Sequence, residues 1–357
     1  MHPVLTDQRP AVVPPRSPEE RLGIHLAARR RSWEGRPQSM GDGKKLLPFQ
    51  ILDPVMAWLR RGLDLCGLYR SLARRATRID VVQNDLWLVG LPPGFEGMKV
   101  LHLTDLHIDG PPGFGRVLTS ICGDLEFDLA VITGDLRLDT RGPVDGALRE
   151  LEPLVPVLGD CRCGAYAVLG NHDTLDMVEP LESLGLRYLL NESLRIDTRD
   201  GDSVWLVGVD DAHFFGTDDL PTAFANVPVE DVALFLCHSP DLILEAASAF
   251  ADVYLCGHTH GGQICLPGGT PLVSNASCAR RFIAGPWQYG ALRGYTSKGC
   301  GFSGIPLRSF CRAEIVIHTL RAERRCRERV VGERRTSLKH PVYPQGRRNP
   351  PSHSGSK

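Results

Sequence analysis

The chain has no C-x-x-C pair, and its eleven cysteines are odd in number and lack zinc-site spacing. That excludes a disulfide-stapled scaffold and points to a reducing compartment. No apolar run approaches the roughly 20 residues that cross a bilayer, so no transmembrane helix is expected. Residues 1–15 carry Pro where a signal peptide needs an apolar stretch, so export is not expected either. A G-x-S-x-G nucleophile elbow and a G-x-x-x-x-G-K-[ST] phosphate loop are both missing, and no protein nucleophile is called for. Collagen, coiled coil and wholesale disorder are excluded by a composition that is 42% hydrophobic and 23% charged. What is there is 357 residues, enough for one large α/β domain or two ordinary ones with ample core.

The net charge of −1 is a cancellation. Residues 1–50 carry +4, residues 51–79 another +4 and residues 321–357 carry +8. The middle, 80–320, holds fifteen Lys/Arg against thirty-two Asp/Glu, or −17. Such asymmetry concerns partners: cations for the middle, anionic surfaces for the ends.

Residues 1–45, rich in Pro and Arg and without apolar periodicity, are expected to be disordered, as is the basic tail 322–357. The segment 46–79 differs. Val55, Leu59, Leu63, Cys66, Tyr69 and Ala73 recur at spacings of four and three, opposite Arg60, Asp64, Gly67, Ser71 and Arg74. The spacing predicts an amphipathic helix over 54–76, with Trp58 and Tyr69 near a positive side. Two readings are open: a helix packed on the catalytic domain, or one lying in an anionic membrane interface.

Between 80 and 321 short apolar runs alternate with helical stretches, which predicts a layered α/β domain. Strands are expected at 98–103, 127–132, 165–169, 204–209, 232–237, 252–256 and 313–320, and helices at 115–123, 144–153, 174–184 and 240–250. The Gly-rich stretch 285–304 reads as a loop shaping a cleft. Five strands deliver polar residues at the same end: Asp105-Leu106-His107, Gly134-Asp135, Gly170-Asn171-His172-Asp173, His238, and Gly257-His258-Thr259-His260. Ligands of open α/β sheets bind beyond the carboxyl ends of strands, where such groups converge. In Asp105-x-His107 and His258-x-His260 the i and i+2 side chains point the same way from extended backbone. Carboxylate and imidazole ligands with one amide oxygen suit Mn, Fe or Zn better than Ca. A carboxylate such as Asp135 can bridge two such ions about 3.5–4 Å apart.

The order DxH, GD, GNHD, H, GHxH resembles the calcineurin-like metallophosphoesterases over about 98–320. The GHTHGGQI block followed by TSKGCGFSGIPLR resembles their bacterial phosphodiesterase branch, which includes membrane-associated UDP-2,3-diacylglucosamine pyrophosphatases. The resemblance implies a four-layered αββα sandwich. It implies one metal ion on Asp105, His107, Asp135 and His260, and a second on Asp135, Asn171, His238 and His258. It makes His172 the non-ligand histidine that stabilises the transition state or protonates the leaving oxygen, oriented by Asp173. The family's GDxxD pattern is broken, since Asp139 falls one place late; Asp135 is unaffected. Asp211 and His213, in Asp210-Asp211-Ala212-His213 after strand 204–209, would support the ligands rather than bind metal. Arg280, Arg281 and Lys298 could contact a phosphate or be solvated charge.

Two divalent cations on Asp135, Mn first and Fe or Zn as alternatives, would generate a bridging hydroxide that attacks phosphorus in line. The expected enzyme is a phosphodiesterase or pyrophosphatase for a lipid- or nucleotide-linked phosphate such as UDP-2,3-diacylglucosamine. It would act in the cytoplasm or on the inner face of the cell membrane. A soluble phosphoesterase for small diesters is the alternative. A nuclease is disfavoured by the −17 domain and by a tail whose only aromatic residue is Tyr343.

Overall fold

The computed structural model describes residues 16–34, 58, 60–272 and 276–323. Two six-stranded sheets face each other. The first contains β1 (Ile79–Leu88), β2 (Lys99–Leu103), β3 (Leu129–Thr133), β4 (Ala165–Val168), β5 (Leu186–Tyr188) and β12 (Ala313–Ala322), in the order β1-β12-β2-β3-β4-β5. The second contains β6 (Glu192–Asp197), β7 (Ser203–Gly208), β8 (Ala233–Leu236), β9 (Val253–Cys256), β10 (Gly285–Tyr289) and β11 (Leu292–Thr296), in the order β10-β11-β9-β8-β7-β6.

The pleat explains the layers, because successive side chains leave a strand on opposite faces. Val100, Leu129, Val131 and Val168 meet Leu234, Leu236, Val253 and Leu255 between the sheets. Their neighbours Leu101, Ala130, Ile132 and Ala167 point outward and are covered by the helices Phe114–Gly123, Asp145–Leu151, Leu154–Gly159 and Val178–Ser183. On the far side Val207, Phe235 and Tyr254 are covered by Leu220–Ala223 and Ile243–Ser248. Helices therefore flank a double sheet, and the four-layered arrangement holds. Strands β2, β3 and β4 are mutually parallel, as are β7, β8 and β9, so their carboxyl ends gather on one side of each sheet.

Three expectations need correction. Residues 16–34 are not disordered. Ser17 caps α1 (Pro18–Leu22) in a reciprocal capping box with Glu20, and α2 (Ile24–Trp33) comes next, its Arg30 fully buried. The helix over 54–76 is not continuous. Helical residues 60–65 end at Gly67, whose φ of 68° no helix accommodates, and α3 (Tyr69–Ala76) starts afresh. α3 packs through Ala73 and Ala76 on Leu138 and Phe302. The stretch 285–304 is no simple loop, since β10 and β11 pair across 285–296. Residues 1–15 and 35–57, and the basic tail apart from Ala322 and Glu323, lie outside the described residues.

Candidate metal centre

Every ligand-type residue sits just beyond a strand. β2 leads to Asp105 and His107, β3 to Asp135, and β4 to Asn171, His172 and Asp173. β8 leads to His238, and β9 to His258 and His260. Five of them turn the chain through left-handed backbone, not the extended backbone expected for the two D/H-x-H pairs: Asp105 (φ 49°), His107 (41°), Asp135 (56°), His258 (68°) and His260 (49°). Residues other than glycine adopt that region rarely and at a cost, and such strain concentrates at functional sites. The turns are crowded as well. A Cβ on Gly170 would overlap the Asp135 carboxylate, and one on Gly257 would overlap the Thr104 hydroxyl and the Asp105 carboxylate.

The side chains converge across the seam between the sheets. Asp105, His107 and His260 form one group; Asp135, His238 and His258 form another; His107, Asp135 and His172 form a third. In each group the ligand atoms lie within 4.8 Å of one another. Asp135 Oδ2 is 3.3 Å from His238 Nε2 and 3.8 Å from the Nε2 atoms of both His107 and His172. His260 Nε2 lies 3.3 Å from Asp105 Oδ1, and Asn171 Oδ1 lies 3.0 Å from His238 Nε2. All of these residues except His172 are buried.

Hydrogen bonding behind the rings decides what this cluster can hold. His107 Nδ1–H donates to the Arg137 carbonyl at 2.8 Å, and His238 Nδ1–H donates to the Thr133 carbonyl at 2.7 Å. A carbonyl can only accept, so neutral His107 and His238 carry bare lone pairs on Nε2. Those lone pairs face other ring nitrogens: Nε2 of His107 is 3.2 Å from Nε2 of His260, and Nε2 of His238 is 3.1 Å from Nδ1 of His258. Imidazole nitrogens and carboxylate oxygens brought this close are a donor set that cations take, and backbone carbonyls fixing the far nitrogen are the usual support of histidine ligands. The donor set fits divalent cations.

The electrostatics agree. Burial opposes ionisation of Asp135, yet His238 and His172 overcome it and hold its carboxyl well below the usual range. Burial likewise opposes charging His238, yet Asp135 lifts it to about 10, so that a proton on Nε2 stands where a cation would otherwise sit. The site demands positive charge beside this carboxylate. Burial pushes Asp105 up to about 6, and burial with neighbouring His107 keeps His260 neutral, as a ligand must be.

Around this centre the other anticipated residues take definite places. The His172 ring is held through Nδ1–H by the Leu138 carbonyl at 2.6 Å. Asp173 is not its orienting partner: the Asp173 carboxylate accepts the amides of Asp135, Leu136 and Gly170. Asp139 is exposed and paired with Arg60 at 3.0 Å, while Asp109, which no expectation covered, caps the loop by accepting the Leu138 amide at 2.7 Å. Asp211 caps the turn at Phe214 and Phe215. His213 pairs with Asp241 and lies 4.2 Å, ring to ring, from His258. Lys298 is engaged by Glu314 at 2.6 Å, Arg281 lies over the Phe282 ring, and Arg280 is exposed. Two further arginines were also unforeseen, Arg308 half-buried and Arg30 fully buried. Arg308, in the GFSGIPLR run, donates to the carbonyls of Lys298 and Gly301 beside His260. Arg30 reaches the 170–173 loop.

Known proteins resemble this chain over the same region. Residues 98–262 match the calcineurin-like phosphoesterase family. The metallophosphoesterase YkoQ of Bacillus subtilis is 31% identical over 240 residues, covering 64% of this chain and 85% of that protein. Phosphodiesterase YaeI of Escherichia coli is 31% identical over 229 residues, covering 61% of this chain and 80% of that protein. A bovine (Bos taurus) transmembrane protein with metallophosphoesterase domain is 33% identical over 257 residues, 65% of this chain but only 55% of its own length. Among the described residues no helix is long and apolar enough to cross a membrane. Two sheets that meet in a seam of buried His and Asp, and relatives that align along most of their length, lead to one conclusion: this chain belongs to the calcineurin-like phosphoesterase family and is a metal-dependent phosphoric ester hydrolase.

Proposed function

We propose that the protein is a dinuclear phosphodiesterase or pyrophosphatase, with Mn²⁺ the favoured ion and a lipid- or nucleotide-linked phosphate as substrate. The observation that carries this reading is the crowding of His238, His107 and His172 Nε2 atoms within 3.8 Å of one carboxylate oxygen of Asp135. Asp105, His107, Asp135 and His260 would hold one ion; Asp135, Asn171, His238 and His258 would hold the other. Bound there, the ions supply Lewis acidity toward phosphoryl oxygens and a hydroxide nucleophile at neutral pH. Asp135 keeps the two ligand sets in register. His172, partly exposed and anchored at Nδ1, would as the imidazolium deliver its Nε2 proton to the leaving oxygen. The phosphodiesterase name of the YaeI relative supports a diester substrate.

Attachment to an anionic membrane face belongs to the same proposal. Trp58, Leu65 and Leu68 are 75%, 89% and 52% exposed, and Arg61, Arg70, Arg74, Arg75 and Arg78 are exposed nearby in the chain. Apolar side chains beside Arg suit a headgroup interface, where each basic residue contributes about 1 kcal/mol. Hydrolysis of bis-p-nitrophenyl phosphate with Mn²⁺, abolished by EDTA, tests the chemistry; no metal-dependent turnover would sink it. UMP release from UDP-2,3-diacylglucosamine tests the substrate, and failure to float with phosphatidylglycerol vesicles would remove the membrane role.

A further inference from the structure

We infer that Arg30 is a positioning residue for the metal centre: brought in by α2, its guanidinium fixes the backbone of loop 170–173 and so aims Asn171 and His172. The inference rests on the roles proposed above for those two residues.

The side chain of Arg30 is fully buried and its donors are spoken for. Nη2 donates to the carbonyls of Asp173 at 2.9 Å and Gly170 at 3.2 Å. Nη1 donates to Asp210 at 2.5 Å, Nε donates to Glu34 at 3.2 Å, and the Phe215 ring lies 4.2 Å from the guanidinium carbon. Loop 170–173 is thus gripped from both sides. Its amide edge is tied to the GD loop, because Asp173 accepts the amides of Gly170 and Asp135. Its carbonyl edge is tied to α2 by Arg30. Residues at the end of α2 also hold the next turn of chain: Glu34 accepts the Leu175 amide at 2.9 Å, and Arg31 pairs with Asp176 at 2.8 Å. Arg21 anchors the segment at its other end, on Glu182 and Glu192.

Stability alone explains this poorly. Buried ion pairs often contribute little net stability against apolar replacements. A planar fork that meets two main-chain carbonyls and a carboxylate at once does something else: it sets a loop geometry that the point charge of lysine cannot reproduce. The two residues of that loop are the ones that must face Asp135. The His172 amide donates to Asp135 Oδ1 at 2.8 Å, and Asn171 Oδ1 meets His238. A small displacement here separates Asn171 from its ion and His172 from the leaving oxygen, and misplacement of about 1 Å can cost on the order of 100-fold in rate.

The test uses Arg30→Lys and Arg30→Ala in the full chain, with three readouts. Calorimetric Mn²⁺ titration should show one of two sites weakened at least tenfold. Turnover of bis-p-nitrophenyl phosphate should fall at least tenfold in kcat with KM little changed, and guanidinium ion should restore part of the loss in Arg30→Ala. Hydrogen exchange at the amides of 170–173 should quicken in Arg30→Lys while the rest of the β3–β4 region stays protected. Parent protein that neither binds Mn²⁺ nor turns over would defeat the functional proposal, leaving hydrogen exchange to judge Arg30. If the parent is active and Arg30→Lys matches it in Mn²⁺ binding, kcat and exchange at 170–173, Arg30 is a structural residue only and the inference falls. Should Arg30→Ala fail to fold, Arg30→Lys decides alone.

Discussion

The Asp173 carboxylate accepts the main-chain amide of Asp135 at 2.8 Å, and the same oxygen accepts the amide of Gly170 at 2.9 Å. Its other oxygen takes the Leu136 amide at 2.8 Å. This carboxylate is a brace between the loops after β3 and β4. Asp173→Asn preserves the shape but turns an NH₂ group toward an amide. Leaving buried donors unmet costs about 1–3 kcal/mol. Thermal unfolding should show that loss, with weaker Mn²⁺ binding beside it; a parent-like melting temperature would show that the brace is dispensable.

Asp135 and His172 should fail differently. Asp135→Ala removes the carboxylate common to both proposed ligand sets, so metal and activity should vanish together. His172→Ala leaves both sets intact, so Mn²⁺ affinity should persist while kcat falls by about 10²–10⁴, the usual worth of a positioned acid. Calorimetry and hydrolysis on the same preparations check this. A His172→Ala enzyme with parental kcat would refute the assigned role.

Metal binding should stabilise the fold. The cluster holds buried Asp105 and Asp135 among histidines from both sheets. An ion that binds only the native state adds about 2.7 kcal/mol at a hundred times its Kd. EDTA should therefore lower the melting temperature by several degrees and Mn²⁺ should restore it. An unchanged melting curve would argue against the cations these residues are suited to hold.

Lys298 should matter for stability more than for substrate. Its Nζ lies 2.6 Å from Glu314 Oε2, and Glu314 is only 1% exposed. Lys298→Met would strand that carboxylate, and an uncompensated buried charge costs about 3–5 kcal/mol. The expected result is a large fall in urea midpoint with KM for a phosphodiester changed little. A raised KM with unchanged stability would instead return Lys298 to the phosphate.

A pH test is available away from the metal centre. Burial raises the Asp252 carboxyl to about 6, although it accepts the Ala233 amide at 2.9 Å. The native state therefore holds this proton more tightly than the unfolded chain does. Stability from the protonated form is present below about pH 4 and is lost as pH rises to about 6. Asp252→Asn should thus gain on the parent by about 1–3 kcal/mol at pH 7 and lose that advantage at pH 4, read from paired urea titrations. An advantage independent of pH would contradict the shift.

The sequence made the centre legible because its ligands come after hydrophobic strands as short fixed motifs, and each of those strands is buried on both faces. The strands it hid are of another kind. β1 pairs only with β12 and keeps Val81 and Trp87 exposed, so its apolar and polar residues mix. β10 carries Pro286, tolerated because that edge needs no donor. β5 is three residues long. Arg30 was hidden for a different reason. In Arg29-Arg30-Arg31 nothing local tells the inward side chain from its more exposed neighbours, and its loop and Asp210 partners lie 140 to 180 residues away. One clue was present: Ser17-Pro18-x-Glu20 is a helix-starting pattern, at odds with disorder. The break at Gly67 was readable too, since a lone glycine in a helical pattern is a weak point.

The ten described cysteines are all free thiols, so no covalent tie spans this part of the fold. The seam of ligands offers a substitute. Residues 105, 107, 135 and 171 come from the first sheet and 238, 258 and 260 from the second, so an ion bound between them staples the two halves of the sandwich. A cross-link joining residue 105 to residue 260 closes a loop long enough to be worth about 5 kcal/mol in the chain-entropy picture of disulfides. For this chain chelation would then play the part that reduction plays for a secreted protein, and the same ions that run the reaction would set how long the fold lasts.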